Sequence, residues 1–340
     1  MLLAVCAAVC AALLAPSAWA QGAAGTDNAA FEARSRALTR ASNAVIGVQV
    51  QAVEGARSAA SLGLQRQGSG VVIGTDGLVL TIGYLVLEAE RVELLPDDGR
   101  RIPARLVAYD LATGFGLVQA LAPLKLEPVP LGRSAGLAED EPLLVASGGD
   151  DAALSVARLA SQRPFSGFWE YHIDDAIFTA PPRPNHSGAA LFNSQGELLG
   201  IGSLFVADAM GPDKPRLPGN MFVPVDLLKP ILAELRERGS SQASTRAWLG
   251  VNCVEQGGRV RVMRVNDDSP ADVAGVEVGD QIVRIENQRV ATLSQLWKAL
   301  WAGGAPERAV TLEVLRNGRP QTLTVQSVDR AKTLRRAEGI

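Results

Sequence analysis

The sequence predicts a pair of antiparallel β-barrels followed by a smaller α+β module, and three observations carry that prediction. Between Ala44 and Val225 the chain is a series of short apolar runs, none holding a helical period for more than two turns. Those runs are cut by turn chemistry, and Gly makes up 34 of 340 residues while aromatic residues make up only 5%. After a Ser-rich stretch at Gly239–Thr245, capped helical patterns appear among the strands for the first time. The bulk numbers exclude other classes. A hydrophobic share of 47% with 20% charged residues is neither a disordered chain nor a coiled coil. A formal net charge of −3 gives no reason to expect nucleic acid or an anionic membrane as partner.

Residues 1–20 are uncharged, with an apolar block Leu2–Leu14 followed by Pro16 and Ala18-Trp19-Ala20. A short apolar block ending in an A-x-A-like site reads as a secretory signal cleaved after Ala20, although the usual positive n-region is missing. Cys6 and Cys10 leave with it, so the mature chain keeps Cys253 alone and no internal disulfide is expected. Arg outnumbers Lys 28 to five, in keeping with a bacterial, high-GC origin, and a periplasmic or secreted location follows. Residues 21–43 are polar and Ala-rich, with a short helix expected over Phe31–Leu38. The first strand series is Val45–Val53, Gly70–Ile73, Val79–Ile82, Arg91–Leu95, Ile102–Ala108 and Phe115–Leu121. The second is Pro142–Ala146, Leu154–Leu159, Ile173–Phe178, Ala189–Phe192, Glu197–Ile201 and Met221–Val225. Two successive groups of about six strands fit paired barrels. Val225–Arg238 has one apolar face and is expected as a closing amphipathic helix.

Residues 239–246 form the expected linker. In the module over 247–328, Ser269-Pro270 is an N-cap followed by Pro at the first helical position. Thr292 caps a helix carrying Leu293, Leu296, Trp297, Leu300 and Trp301, and Asn317-Gly318 marks a hairpin. The charged tail 329–340 is expected to be loose.

Against this frame the chain resembles the HtrA-type (DegP/DegS-like) trypsin-like periplasmic serine proteases with one PDZ domain, from Ala44 to Val328. Gly68-Ser69-Gly70-Val71-Val72-Ile73 and Thr81-Ile82-Gly83-Tyr84-Leu85-Val86 match the family's Gly-Ser-Gly strand and its T-N-x-H-V-V segment. Tyr84 stands where that segment holds the catalytic histidine. Tyr109–Val118 matches the stretch with the catalytic aspartate, and Gly114 stands at its place, with Asp110 upstream. Arg183-Pro184-Asn185-His186-Ser187-Gly188-Ala189-Ala190-Leu191 matches N-P-G-N-S-G-G-P-L. Ser187 therefore keeps the nucleophile position, and Asn185 replaces a glycine whose amide, with that of Ser187, forms the family's oxyanion hole. The resemblance implies residues 44–238 as a trypsin-like double barrel and 247–328 as a PDZ domain.

The substitutions matter chemically. A serine hydroxyl needs a base to take its proton and return it to the leaving amine. A phenol, with a pKa of about 10, stays protonated at neutral pH, and glycine offers no carboxylate to orient a base. Losing triad members costs about 10⁴–10⁶ in turnover. His186 is the chain neighbour of Ser187, and adjacent side chains point to different sides. His172 lies 15 positions upstream beside Asp174 and Asp175, nothing in the spacing brings it to Ser187, and it reads as a surface or loop-packing residue. No metal or other cofactor is expected from two separated histidines and one thiol.

Trp248-Leu249-Gly250-Val251 matches the carboxylate loop of the family's PDZ domains, whose backbone N–H groups take a peptide's terminal carboxylate. Val251–Val254 would pair with the peptide, and Leu293 and Leu296 would wall its side-chain pocket. The alternative is that the protein's own chain fills the groove, or that the module only packs on the barrels. Cys253 reads as a small core residue. The expected function is an exported, catalytically impaired protease-like protein that binds extended or C-terminal peptides of envelope proteins, as adaptor, sensor or quality-control factor. The alternatives are a serine endopeptidase using Ser187 with an unidentified base, and a structural partner of an active homologue. Expected partners are peptide or protein clients and a homo-oligomer (a trimer) or that homologue, with no nucleic acid and no membrane span after signal cleavage.

Overall fold

The computed structural model describes residues 32–138 and 141–335, so the expected signal at 1–20 lies outside them. The first described element is a helix over residues 32–43 (α1), longer than the expected one. Six strands follow: β1 (Val45–Ala52), β2 (Gln65–Val72), β3 (Leu78–Ile82), β4 (Ala89–Leu95), β5 (Ile102–Tyr109) and β6 (Phe115–Ala120). They close into an antiparallel barrel in the order β1-β2-β3-β6-β5-β4. Two short helices interrupt the series, α2 (Ala59–Leu62) and α3 (Gly83–Val86). The second barrel comprises β7 (Pro142–Ser147), β8 (Ala153–Ser166), β9 (His172–Ala180), β10 (Ala190–Phe192), β11 (Leu198–Val206) and β12 (Gly219–Pro224). Its order, β10-β11-β12-β9-β8-β7, repeats the topology of the first. Phe115, Phe178, Phe192 and Phe222, at most 1% exposed, are the large side chains that fill the two barrel interiors.

The expected single helix over Val225–Arg238 is broken. A 3₁₀ turn (Val225–Leu227) comes first, and α4 spans only Leu232–Arg238. Pro230 sits between them; it has no N–H to donate and its ring crowds the preceding turn. Gly239 then ends α4 in the left-handed conformation, at φ +72°.

The stretch 239–246 is not a free tether. Ser241 and Ser244, both under 5% exposed, form a capping box, and their hydroxyls donate to the buried Asp110 carboxylate of the first barrel. Beyond it lie β13 (Ala247–Trp248), β14 (Val251–Gln256), β15 (Arg259–Val265), α5 (Pro270–Val273), β16 (Gln281–Ile285), β17 (Gln288–Arg289), α6 (Leu293–Ala302), β18 (Arg308–Arg316) and β19 (Arg319–Asp329). The sheet runs β13-β19-β18-β16-β15-β14, which leaves β14 at one edge. Ser269 and Thr292 cap α5 and α6 through Asp272 N and Gln295 N, as their sequence contexts predict. Asn317 and Gly318 both take positive φ, +51° and +78°, the backbone of a type I′ hairpin turn. Leu249, Val262, Leu296, Trp297 and Leu312 fill this module's core. The tail differs from expectation over its described part: residues 330–333 form a 3₁₀ turn, and the Arg335 amide donates to Glu88 in the first barrel at 2.9 Å.

Candidate functional site

Ser187 lies in the loop between β9 and β10, at the seam of the two barrels. The Ser69 amide donates to the Ser187 carbonyl at 2.8 Å, and the Gly148 amide donates to the Ser69 hydroxyl at 3.0 Å. Gly188 follows at φ +75°, so close to the Ser69 carbonyl that any Cβ would collide with it. The seam thus specifies glycine on physical grounds. A cleft of about 170 Å³ opens beside Ser187, with Ser69, Gly148–Asp151 and Asn185 in its wall.

Tyr84 arrives from α3. Arg66 on β2, 6% exposed, fixes this turn by donating to the carbonyls of Tyr84 (3.0 Å) and Leu87 (2.6 Å). The Tyr84 Oη is then 2.7 Å from the Ser187 Oγ and 2.9 Å from the Ser203 carbonyl oxygen. The phenol has one proton. Ser203 O can only accept, so whenever that proton points there the phenol oxygen accepts from Ser187. Either way the serine is hydrogen-bonded by a neutral hydroxyl. Burial outweighs the Ser187 hydrogen bond and pushes the Tyr84 pKa up to about 12. At pH 7 only about one molecule in 10⁵ would carry the phenolate.

Gly114 occupies the β5–β6 turn at φ +82°, and its carbonyl accepts from the Gly83 amide at 2.7 Å. A Cβ there would lie 3.2 Å from the Tyr171 Oη, which donates to the Thr113 carbonyl at 2.6 Å. A tyrosine thus stands over the position that the resemblance assigns to a carboxylate. Asp110 faces away, accepting from the Thr113 amide at 2.7 Å and from the linker serines. His186 is turned from Ser187: its Nδ1 donates to the Arg183 carbonyl at 3.1 Å. His172 is not a surface residue. It is 6% exposed, with Nδ1 2.8 Å from the Ser166 hydroxyl and Nε2 3.2 Å from Asp174, and burial lowers its pKa. Asn185 does not use a positive φ. Its side chain donates to the Ser147 hydroxyl and to the Asp151 carbonyl at 2.7 Å. Asn185 and Ser187, the two residues the resemblance assigns to the oxyanion hole, both line the cleft.

The second candidate site is the carboxylate loop, and it is occupied from within. The turn joining β8 to β9 carries Glu170, 4% exposed, and the amides of Leu249 (3.0 Å), Gly250 (2.7 Å) and Val251 (3.1 Å) all donate to its carboxylate. Gly250 permits this approach at φ +88°, where a Cβ would collide with Ser269. On the same turn, the Phe168 carbonyl accepts from the Cys253 amide of edge strand β14 at 2.7 Å. The Gly167 carbonyl accepts from Trp297 Nε1 on α6 at 3.0 Å. Leu293 and Leu296 are 8% and 0% exposed, in the module's core, so they present no open pocket wall. Trp248 is half-buried on β13. Burial raises the Cys253 thiol pKa, so that thiol is inert.

Spacing alone does not reveal Glu170, Phe168 and Ser203, because their partners are 79 or more residues away. The available signal is one acid inside the aromatic run Phe165–Tyr171.

A double-barrel peptidase scaffold with a serine at its seam, followed by a module with an amide cradle, defines a trypsin-like peptidase fold joined to a PDZ domain. Comparison with known proteins agrees: residues 68–201 match the trypsin-like peptidase domain and residues 247–326 the PDZ domain. The probable periplasmic serine endoprotease DegP-like of Pseudomonas putida is 29% identical over 282 residues, 77% of this chain and 55% of that protein. The serine endoprotease DegS of Haemophilus influenzae is 26% identical over 264 residues, 74% of each chain. The chain thus spans little more than half the length of the DegP-like relative. Among solved structures, the HtrA-type protease AlgW with decapeptide aligns at a TM-score of 0.55 and 22% identity, covering 87% of this chain and 98% of that one. The chain thus carries a trypsin-like peptidase domain followed by a PDZ domain, and the proteins it is similar to are DegP-like, DegS and HtrA-type proteases.

Proposed function

We propose that this chain is a catalytically impaired HtrA-type protein of the bacterial periplasm whose working part is its PDZ domain. That domain takes extended or C-terminal peptides of envelope proteins, in an adaptor, sensor or quality-control role. One observation carries the impairment: the group 2.7 Å from the Ser187 hydroxyl is the Tyr84 phenol, held neutral by a pKa of about 12. It cannot take the serine proton and return it to a leaving amine. The position that would orient a base is Gly114, covered by Tyr171, and neither histidine reaches Ser187. The periplasmic setting rests on the uncharged apolar leader and on the relatives named periplasmic endoproteases. Among the described residues no helix is long and apolar enough to cross a membrane. Assembly as a trimer or with an active homologue belongs to the same reading.

The test is covalent labelling of the purified protein by a fluorophosphonate probe, alongside casein hydrolysis. Neither labelling nor hydrolysis above the Ser187→Ala background is expected. Labelling that disappears in Ser187→Ala would show that an unidentified base activates the serine and would end the impaired reading.

A further inference from the structure

We propose that the β8–β9 turn, residues 167–171, is a built-in ligand of the PDZ groove, so that an external peptide carboxylate enters only by displacing Glu170. This rests on the reading of the groove as a peptide site. Three contacts reproduce what a bound peptide would supply. The Glu170 carboxylate takes three consecutive amides, those of Leu249, Gly250 and Val251, where a terminal carboxylate would sit. The Phe168 carbonyl satisfies the Cys253 amide on β14, the edge strand on which a peptide would add by strand pairing. The Gly167 carbonyl satisfies Trp297 Nε1 from α6, the opposite wall. The mimic is anchored on its own side as well. Trp169 stacks on Tyr171 at 5.7 Å, and Lys298 of α6 holds Asp174 of β9 at 2.6 Å.

The occupant is therefore tethered, pre-shaped and always present, and a competing ligand meets a groove that is open for only a fraction of the time. Its apparent affinity is reduced by that fraction. The ligand class that can compete is a peptide with a free C-terminal carboxylate, because the cradle offers three converging amide donors, with the Arg330 guanidinium beside them favouring an anion. A peptide amidated at its C-terminus lacks the charge that replaces Glu170.

The experiment compares wild-type protein with Glu170→Ala and, as an isosteric control that keeps the volume of the site, Glu170→Gln. Amide hydrogen exchange reads the cradle, and fluorescence anisotropy reads binding of a pool of fluorescein-labelled decapeptides ending in free Val, Leu, Phe or Ala. Slow exchange at Gly250, Val251 and Cys253 is expected in wild type, lost in Glu170→Ala. Peptide binding is expected to tighten at least about tenfold in Glu170→Ala, with Glu170→Gln between the two, and amidated peptides are expected not to bind. Fast exchange at these amides in wild type, or equal peptide affinity in wild type and Glu170→Ala, would overturn the proposal. Protection lost in Glu170→Ala with no peptide bound by any variant would instead sustain the internal ligand and overturn the peptide-binding reading.

Discussion

The hydroxyl-to-hydroxyl contact between Tyr84 and Ser187 has a consequence for repair. Tyr84→His would put an imidazole on α3, but nothing at Gly114 would orient it. Supplying an aspartate there is obstructed twice: the backbone is at φ +82°, and Tyr171 Oη would be 3.2 Å from the new Cβ. A non-glycine residue in the left-handed region costs about 1–2 kcal/mol. The double variant Tyr84→His, Gly114→Asp is therefore expected to melt lower than wild type and to show no casein hydrolysis. Turnover in that variant would mean that the β5–β6 turn and Tyr171 give way more easily than this geometry implies. The two substituted positions were legible in sequence because each sits inside a local motif frame. Tyr171 over Gly114 was not, since 57 residues and a barrel seam separate them in the chain.

Among the elements, α3 shows how four residues are held in place by one side chain. The Arg66 guanidinium, nearly sealed from solvent, binds the Gly63, Tyr84 and Leu87 carbonyls and the Ser58 hydroxyl. Glu88, at φ +55°, collects the Ser58 hydroxyl and the amides of Arg57, Ser58 and Arg335 next to it. Arg66→Met keeps the length and deletes every donor. Leaving a buried carbonyl without a donor costs about 1–3 kcal/mol, which urea unfolding would read as a lower midpoint with an unchanged slope. A midpoint within error of wild type would mean that water replaces the guanidinium. The strands and the caps at Ser269 and Thr292 were legible because alternation and capping are local. The break at Pro230 was legible in principle, but the apolar stripe from Leu227 to Leu235 dominated the helical reading. The linker's Ser content suggested flexibility, and Asp110 instead turns those hydroxyls into anchors.

At the scale of the whole molecule, the two folding units meet through a titratable group. Burial pushes the Glu170 carboxyl up to about 7, against the pull of Arg330 and of the Leu249, Val251 and Gly250 amides. The other titratable group facing it is the Cys253 thiol on β14; further along β9, Asp174 pairs with Lys298 of α6 and with His172. A closed state with the raised value binds a proton that the open state, near 4.5, does not. Closure is therefore fully favoured below about pH 4.5 and weakens as pH rises through 7. Between pH 6 and pH 8 the closed-to-open ratio should fall about tenfold. Peptide affinity measured across that range should rise with pH in wild type and stay flat in Glu170→Gln. A flat wild-type profile would place the carboxyl's titration outside the physiological window. A groove filled by the protein's own chain stood as an alternative in the sequence, but the occupant was not legible beyond the acid in an aromatic run, because the cradle and its occupant come from different domains.

Seating Phe168 against β14 also bears on solubility. An unpaired strand border is a template for another copy of the same chain, and many proteins blunt such borders with charge or proline. Val251, Asn252, Cys253 and Val254 carry neither, and the guard is the polypeptide's own loop. Loss of the loop would leave that border adhesive, so clumping on storage is the outward sign to expect from chains in which it has swung away.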